Sequence, residues 1–424
     1  MDRTVAFMTL GCKVNQYDTQ SIQKQFTDQG WRVVPFTESA DAYVINTCTV
    51  TGEAARKSRQ MIRRAHRNNP DANVAVIGCL SQQKGKELLE LPGVKLVVGT
   101  DDRGDLPQRL TEGNAVGKIA PVGEFEELPV DMGWERARAV IKVQDGCDRY
   151  CAYCVIPYVR GRVRSRDPER VVAEARRLTS AGYREIVLTG IHVSSYGKER
   201  GDMDLPALIT RVHGIEGLDR IRLGSLEPDH MGDAWIETFA GLPKLCRHYH
   251  LSLQSGSDTV LRRMNRSYDT ARFTEVVEAL RRHIPDVSIT TDVIVGFPGE
   301  TDEEFEESLA YVERMGFSRV HVFPYSRRAG TKAADMPGQI QKAVKVDRVG
   351  RIMEAARRGQ SRYMEAQIGK TLDVLFEEEK DGYWEGYTDT YLRTAVKRGE
   401  DLQGEIRPVR LDRVDGEMIV GTTR

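Results

Sequence analysis

Three cysteines fall within eight residues, at Cys147, Cys151 and Cys154, and four arginines follow at every second position, Arg160, Arg162, Arg164 and Arg166. A structural zinc ion takes four protein ligands, and no histidine or further cysteine lies near this loop in sequence to complete such a set. A 4Fe–4S cluster has four irons, so three thiolates leave one iron open to a non-protein ligand. Three other cysteines, Cys12, Cys48 and Cys79, each come at or just past the end of a short apolar run: "TVAFMTL", "DAYVINTC" and "NVAVIGC". In an open parallel sheet the carboxyl ends of the strands share one edge, where ligands bind, so these three point to a common site. Taken singly, each also reads as a small buried hydrophobe. Cys246 matches neither trio and reads as structural.

The elements that would position these residues follow from pattern. The first hundred residues alternate strand and helix, with a basic helix over about 52–68. From Arg136 the alternation resumes, with strands expected at "ARAVIKVQ", "EIVLTG", "RIRLGS", "YHLSLQ", "VSITTDVIVG" and "RVHVFPY", and helices near 168–181, 204–215, 232–241, 271–283 and 301–316. Each parallel return needs a crossover, so six such strands imply a parallel barrel or partial barrel, whose active site lies at the strand C-termini. The segment 112–134 is rich in glycine and acidic residues without periodicity, as a linker would be. After residue 363 short alternating strands with glycine-bounded turns suggest a small β-barrel. The fold class is therefore α/β: an N-terminal parallel open sheet over 1–113, a linker over 114–133, a partial (β/α)6 barrel over 134–363 and a small β-barrel over 364–424.

Composition excludes several classes. The 424 residues are 40% hydrophobic and 29% charged, those of a folded globular chain. No apolar run approaches the roughly 20 residues that span a bilayer, and the start lacks a signal-peptide pattern, so a cytoplasmic protein with no membrane partner is expected. Seven cysteines in such a chain favour metal or redox chemistry over disulfides. A net charge of −1 means that any nucleic-acid binding must rest on local patches. One patch is Arg56, Lys57, Arg59, Arg63, Arg64 and Arg67, and the other is the arginine ladder; either reads equally as a solvated face. The last sixty residues carry 14 acidic against 9 basic side chains, which counts against uniform RNA affinity there.

The spacing Cys147-x3-Cys151-x2-Cys154 after the first strand of a parallel barrel resembles the radical S-adenosylmethionine (SAM) enzymes. With "TLGCKVNQYDT", "INTCTVT", "IGCLSQ" and "DVIVGFPGET", and a closing barrel similar to a TRAM RNA-binding domain, the whole chain resembles the radical SAM methylthiotransferases. Within that family "GCKVNQYDT" and "GCDRYCAYCVIPYVRGRVRSR" look most like the branch acting on N6-threonylcarbamoyladenosine in tRNA.

The resemblance implies two 4Fe–4S clusters, one on Cys147, Cys151 and Cys154 with SAM at its open iron, the other on Cys12, Cys48 and Cys79. It implies an enzyme that places a methylthio group at C2 of the modified adenine beside the anticodon. Tyr153 would meet the SAM adenine or merely pack its loop. Thr189 and Gly190 would contact the SAM amino group, although "LTGI" stands where the family has a "GGE"-like run. Ser225, Glu227, Gln254 and Arg266 are further SAM candidates, each with an equal claim to a structural role. Arg160, Arg162, Arg164 and Arg166 gain a case as contacts to the phosphates of an anticodon stem-loop. The implied partners are tRNA and an electron donor such as flavodoxin or ferredoxin, with the sulfur donor left unnamed. Alternative readings are a methylthiotransferase for isopentenyl-adenosine or for a ribosomal-protein aspartate, and a non-catalytic iron–sulfur RNA-binding protein.

Overall fold

The computed structural model of the chain describes residues 3–112, 124–128 and 137–423, so most of the expected linker lies outside the described residues. Two compact units divide it. One comprises Met1–Trp134, Lys142–Arg166 and Ser326–Ala334, and the other Glu135–Ile141, Asp167–Tyr325 and Asp335–Arg424. The cysteine loop that follows the first barrel strand is grouped with the N-terminal sheet rather than with the strands on either side of it. Among the described residues no helix is long and apolar enough to cross a membrane.

The first unit is built on five parallel strands, β1 (Thr4–Thr9), β2 (Arg32–Val34), β3 (Ala42–Thr47), β4 (Asn73–Gly78) and β5 (Val94–Val97), in the order β2-β1-β3-β4-β5. Helices α1 (Lys13–Asp28), α2 (Gly52–Asn68), α3 (Cys79–Leu89) and α4 (Leu106–Glu112) connect or follow them. β3 and β4 are buried almost throughout, as strands covered on both faces must be, and their near-continuous apolar runs are what made them legible. Two apolar clusters fill the space on either side, one around Tyr43, Ile45, Ile62 and Val76 and the other around Ile22, Phe26, Val44 and Leu96.

The second unit begins with β6 (Arg138–Lys142), whose last residue already belongs to the first unit. There the chain makes the two-residue strand β7 (Gln144–Asp145), the short helix α5 (Ile156–Arg160) and β8 (Arg164–Ser165). It then continues as α6 (Pro168–Ser180), β9 (Glu185–Thr189), α7 (Leu205–His213), β10 (Arg220–Leu223), α8 (Asp233–Ala240) and β11 (His248–Gln254). After these come α9 (Asp258–Arg263), α10 (Thr270–His283), β12 (Ser288–Val295), α11 (Asp302–Met315), β13 (Arg319–Pro324), α12 (Lys332–Asp335) and α13 (Lys342–Glu365).

The six long strands form two sheets, β10-β9-β6 and β11-β12-β13, linked by the isolated parallel bridges Ile221–Leu245 and Leu226–Leu251. This is the expected open (β/α)6 arrangement. Side-chain caps start its helices: Asp167, Asp204 and Asp269 accept backbone N–H groups, and Thr301 with Glu304 forms a reciprocal capping box.

Strands β14 (Thr371–Lys380), β15 (Tyr383–Thr388), β16 (Arg393–Lys397), β17 (Ile406–Asp415) and β18 (Met418–Thr423) close into the expected C-terminal barrel, in the order β14-β15-β16-β18-β17. Arginines near the N-terminal ends of the parallel strands hold it there. Arg222, 1% exposed, bonds Glu185 at 2.6 Å and also reaches the carbonyls of Thr388 and Asp389. Arg220 donates to the Asp373 carbonyl, Arg138 pairs with Glu377 at 2.6 Å and Arg247 with Asp389 at 2.7 Å. Burial alone would raise Glu185, but Arg222, Arg138 and Arg220 together hold its carboxyl below the ordinary value. Removing one member of such a buried set leaves an uncompensated charge, at a cost of about 3–5 kcal/mol. Arg222→Met is therefore expected to lower unfolding stability by about that amount, and Arg222→Met with Glu185→Leu by much less. Denaturant titration of the two variants checks this.

Candidate functional site

The order β2-β1-β3-β4-β5 places the reversal of strand order between β1 and β3, the point where open α/β sheets bind ligands. Cys12 caps α1 after β1, Cys48 follows the last residue of β3, and Cys79 opens α3 after β4. The first trio thus brackets the switch point. Gly11 has φ +105°, and a Cβ there would come 2.9 Å from Cys48 Cβ and 3.1 Å from its Sγ, so glycine is what allows Cys12 and Cys48 to approach. Cys79 interacts electrostatically with both other members. All three are free thiols, Cys12 exposed and the others buried. Burial pushes Cys79 up to about 11 and raises Cys48 as well.

The second trio lies on the loop between β7 and β8, whose antiparallel pairing of Gln144 with Ser165 and Asp145 with Arg164 clamps the loop at its base. Gly146 turns the chain with φ +73°, where a Cβ would overlap the Arg162 carbonyl. Cys147 N–H bonds Gly161 O and Cys154 N–H bonds Cys151 O, a tight frame for three sulfurs. Among the described residues, the one group of three potential ligands within 4.8 Å of each other is His250, Asp292 and His321. Free thiols and two glycine-dependent approaches suit a cluster held at three corners.

The trios are neighbours in the first unit. Helix α5 starts two residues after Cys154; its Val159 and the preceding Val155 form one apolar cluster with Cys79. Arg160, at the end of α5 and fully buried, directs Nε–H to Cys79 Sγ at 3.3 Å. Its other nitrogens bond Asp145 at 2.8 Å, Asn15 at 2.7 Å and Asp18 at 3.4 Å. Around it Lys142 pairs with Asp18 and Asp145, Arg103 with Asp18 and Glu126, Arg164 with Asp101 and Arg166 with Glu127. Burial works against the charge of Asp145, yet Arg160, Lys142 and Arg164 hold its carboxyl far below the usual range.

This corrects the reading of the arginine ladder. Arg160, Arg164 and Arg166 are buried and paired with carboxylates, so they form an internal lattice rather than a phosphate rail; Arg162 is the exposed member of the four. The antiparallel clamp and distant acidic partners, invisible in "RGRVRSR", turn the others inward. Sequence reasoning also passed over Arg328, which bonds Thr49 Oγ1 at 2.7 Å and interacts electrostatically with Cys48. The adjacency of "PYSRRAGT" to a strand end was the available signal.

Of the remaining predicted residues, Thr189, Gly190, Ser225, Glu227 and Gln254 lie at or just past strand ends. Tyr153 is half-buried in the cysteine loop, whose Ala152 carbonyl accepts the Ala333 N–H. In the second unit Thr189 is buried at the end of β9, Gly190 is half-buried beside it and Ser225 is exposed after β10. Gln254 ends β11 at φ +68°, an unfavourable conformation for a residue with a side chain, and a register shift precedes it. Glu227 pairs with Arg266, which also donates to Tyr268 Oη at 3.0 Å. Cys246 is buried, and that burial pushes its thiol up to about 12.

Arg160→Met removes the N–H aimed at Cys79 and leaves Asp145 and Asp18 short of a partner, which should cost about 3–5 kcal/mol. Arg160→Lys keeps the charge without the fork and is expected to fold, with less iron retained after anaerobic reconstitution. Denaturation and iron analysis of the pair check both halves.

Comparison with known proteins agrees with this geometry. Residues 141–312 match the radical SAM superfamily, and residues 4–99 match a family described as "Uncharacterized protein family UPF0004". The chain is 42% identical over 421 residues to the threonylcarbamoyladenosine tRNA methylthiotransferase MtaB of Bacillus subtilis, covering 96% of this chain and 93% of that protein. It is 37% identical over 439 residues to the tRNA-2-methylthio-N(6)-dimethylallyladenosine synthase of Moorella thermoacetica, covering 99% of each. Among solved structures, the radical SAM methyltransferase TsrM of Kitasatospora setae is similar in fold, with a TM-score of 0.57 at 16% identity over 79% of this chain and 77% of that one. Two cysteine trios in their places and near-full-length likeness to these enzymes together mean that the chain belongs to the radical SAM methylthiotransferase family.

Proposed function

We propose that the protein converts N6-threonylcarbamoyladenosine next to the anticodon of tRNA into its 2-methylthio derivative. The observation that carries this reading is the pair of cysteine trios within one compact unit, with the helix after Cys154 packed on Cys79. Identity to the Bacillus subtilis enzyme supports the threonylcarbamoyl branch.

Cys147, Cys151 and Cys154 would hold one 4Fe–4S cluster, the one that binds SAM, and Cys12, Cys48 and Cys79 would hold the other. With these groups bound the enzyme gains radical chemistry able to remove hydrogen from an unactivated C2–H bond and a sulfur to deliver there. The chain's own residues bind, orient and shield. Gly11 and Gly146 let the two loops close around sulfur, and Arg160 sets positive charge against Cys79 where thiolate must form. Val155 and Val159 keep water from that sulfur. Thr189, Gly190, Ser225, Glu227, Gln254, Arg266 and Tyr153 are the proposed SAM contacts. The strained backbone at Gln254 and the fixed Glu227–Arg266 pair support three of them, since strain persists where surrounding structure enforces it.

For tRNA, Arg162 is what the ladder leaves to meet phosphate, and helix α2 offers a broader face. It presents Arg56, Lys57, Arg63 and Arg67 to solvent, with Arg59 and Arg64 half-buried beside them. Such a row meets backbone phosphate without reading sequence. A cytoplasmic location, where tRNA is found, and a flavodoxin or ferredoxin as electron donor complete the proposal.

In a strain lacking the protein, tRNA hydrolysates should lose the 2-methylthio form of threonylcarbamoyladenosine. Loss of the dimethylallyl form instead would favour the branch of the Moorella relative. Cys151→Ala is expected to abolish reductive SAM cleavage, and Cys79→Ala to retain cleavage but yield no methylthio product; chromatography of 5′-deoxyadenosine and of nucleosides reads both. Charge reversal at Lys57 and Arg63 should weaken tRNA binding and reduce its salt slope by about one unit for each phosphate no longer neutralised. An unchanged slope would remove α2 from the interface.

A further inference from the structure

The cluster sites leave one constellation unused. His250, Asp292 and His321 sit on the adjacent parallel strands β11, β12 and β13 of the second unit, and one ligand atom from each lies within 4.8 Å of the others. Register explains the convergence. Asp292 pairs directly with His321, and His250 pairs with Thr290, two residues before Asp292. Residues two apart on a strand share a face, so all three side chains point to the same side of the sheet. The alternate residues Tyr249, Leu251, Leu253, Ile289, Val293 and Val295 are almost fully buried on the other side. A sheet with an apolar face secured in this way holds the polar groups of its opposite face on rigid strands, the placement a ligand set requires.

We propose that His250, Asp292 and His321 form a binding site for one divalent transition-metal ion, separate from the two thiolate sites. Two imidazoles and one carboxylate suit a borderline ion such as Fe(II), Mn(II) or Zn(II), and three protein ligands leave further positions for water or an anionic group. His250 Nε2 stands 3.3 Å from Asp292 Oδ2, so an ion between them would replace a direct contact. The other ring nitrogen, Nδ1, is 2.9 Å from Thr290 Oγ1. Ligating histidines are commonly fixed by an oxygen partner on the second nitrogen, which sets both tautomer and ring angle. His248 Nε2 bonds the same Thr290 hydroxyl at 3.0 Å and holds it in turn. A simple His–Asp ion pair would account for His250 and Asp292 but gives no reason for His321 to complete the triangle.

Mn(II) is a suitable probe because it prefers nitrogen and oxygen to thiolate. Anaerobically reconstituted holoenzyme, its cysteines occupied, is titrated with Mn(II) while the free ion is followed by electron paramagnetic resonance. The expected result is one tight Mn(II) per chain, displaced by Zn(II), with hyperfine coupling to two imidazole nitrogens in the bound spectrum. His321→Gln and Asp292→Asn should each weaken binding at least tenfold, and Thr290→Val about 10–100-fold, with cluster iron unchanged. Mn(II) uptake by the native protein no tighter than by His250→Gln/His321→Gln, or bound Mn(II) without nitrogen coupling, overturns the proposal. If a variant loses its iron through misfolding, the nitrogen coupling in the native holoenzyme decides by itself.

Discussion

Arg160 is the interaction on which the N-terminal unit depends. One planar cation donates to a cysteine sulfur, two buried aspartates and an asparagine, and it does so from the end of the helix that grows out of the other cysteine loop. Guanidinium geometry suits the task, since a fork of fixed donors can satisfy several partners that a flexible ammonium would have to take in turn. The surrounding charges balance: five cations, Arg103, Lys142, Arg160, Arg164 and Arg166, meet five carboxylates, Asp18, Asp101, Glu126, Glu127 and Asp145. Such a lattice contributes little net stability compared with an apolar core of the same volume, but it has few alternative arrangements. In a unit that carries both cysteine trios, that narrowness limits how far the surrounding chain can rearrange.

A second group of arginines does the opposite kind of work. Arg138, Arg220, Arg222 and Arg247 stand near the N-terminal ends of the parallel strands and tie the small barrel to them through Glu185, Glu377, Asp389 and backbone carbonyls. The C-terminal ends, where Thr189, Ser225 and Gln254 lie, are the ends at which parallel barrels place their ligands. The division follows from strand polarity: one end of a parallel sheet serves anchoring and the other serves chemistry.

Much of this was legible from residue order. The six strands of the second unit and the helices between them follow the expected segments to within a few residues, because apolar runs bounded by glycine and acidic caps are local signals. The placement of Cys12, Cys48 and Cys79 at strand ends was legible for the same reason. The fate of Arg160, Arg164 and Arg166 was not, since alternate arginines read as a solvated strand unless their partners are known. Those partners, Asp18, Asp101 and Glu127, lie 142, 63 and 39 residues away, and no local pattern encodes such pairings. His250, Asp292 and His321 escaped for a related reason: each occupies an ordinary strand position, and only register brings them together.

The chain crosses between its two units five times, and the first is completed only by residues 326–334. During synthesis at about 5–20 residues per second, Asp18 emerges roughly 7–28 s before Arg160 can reach it. The nascent N-terminal sheet therefore waits with Asp18 matched by Arg103 alone, short of Lys142 and Arg160. Its cysteine loop meets one further partner, the Ala333 N–H on the Ala152 carbonyl, only after most of the polypeptide has been made. Completion of the unit that carries both cysteine trios is thereby a late event, tied to the order of translation.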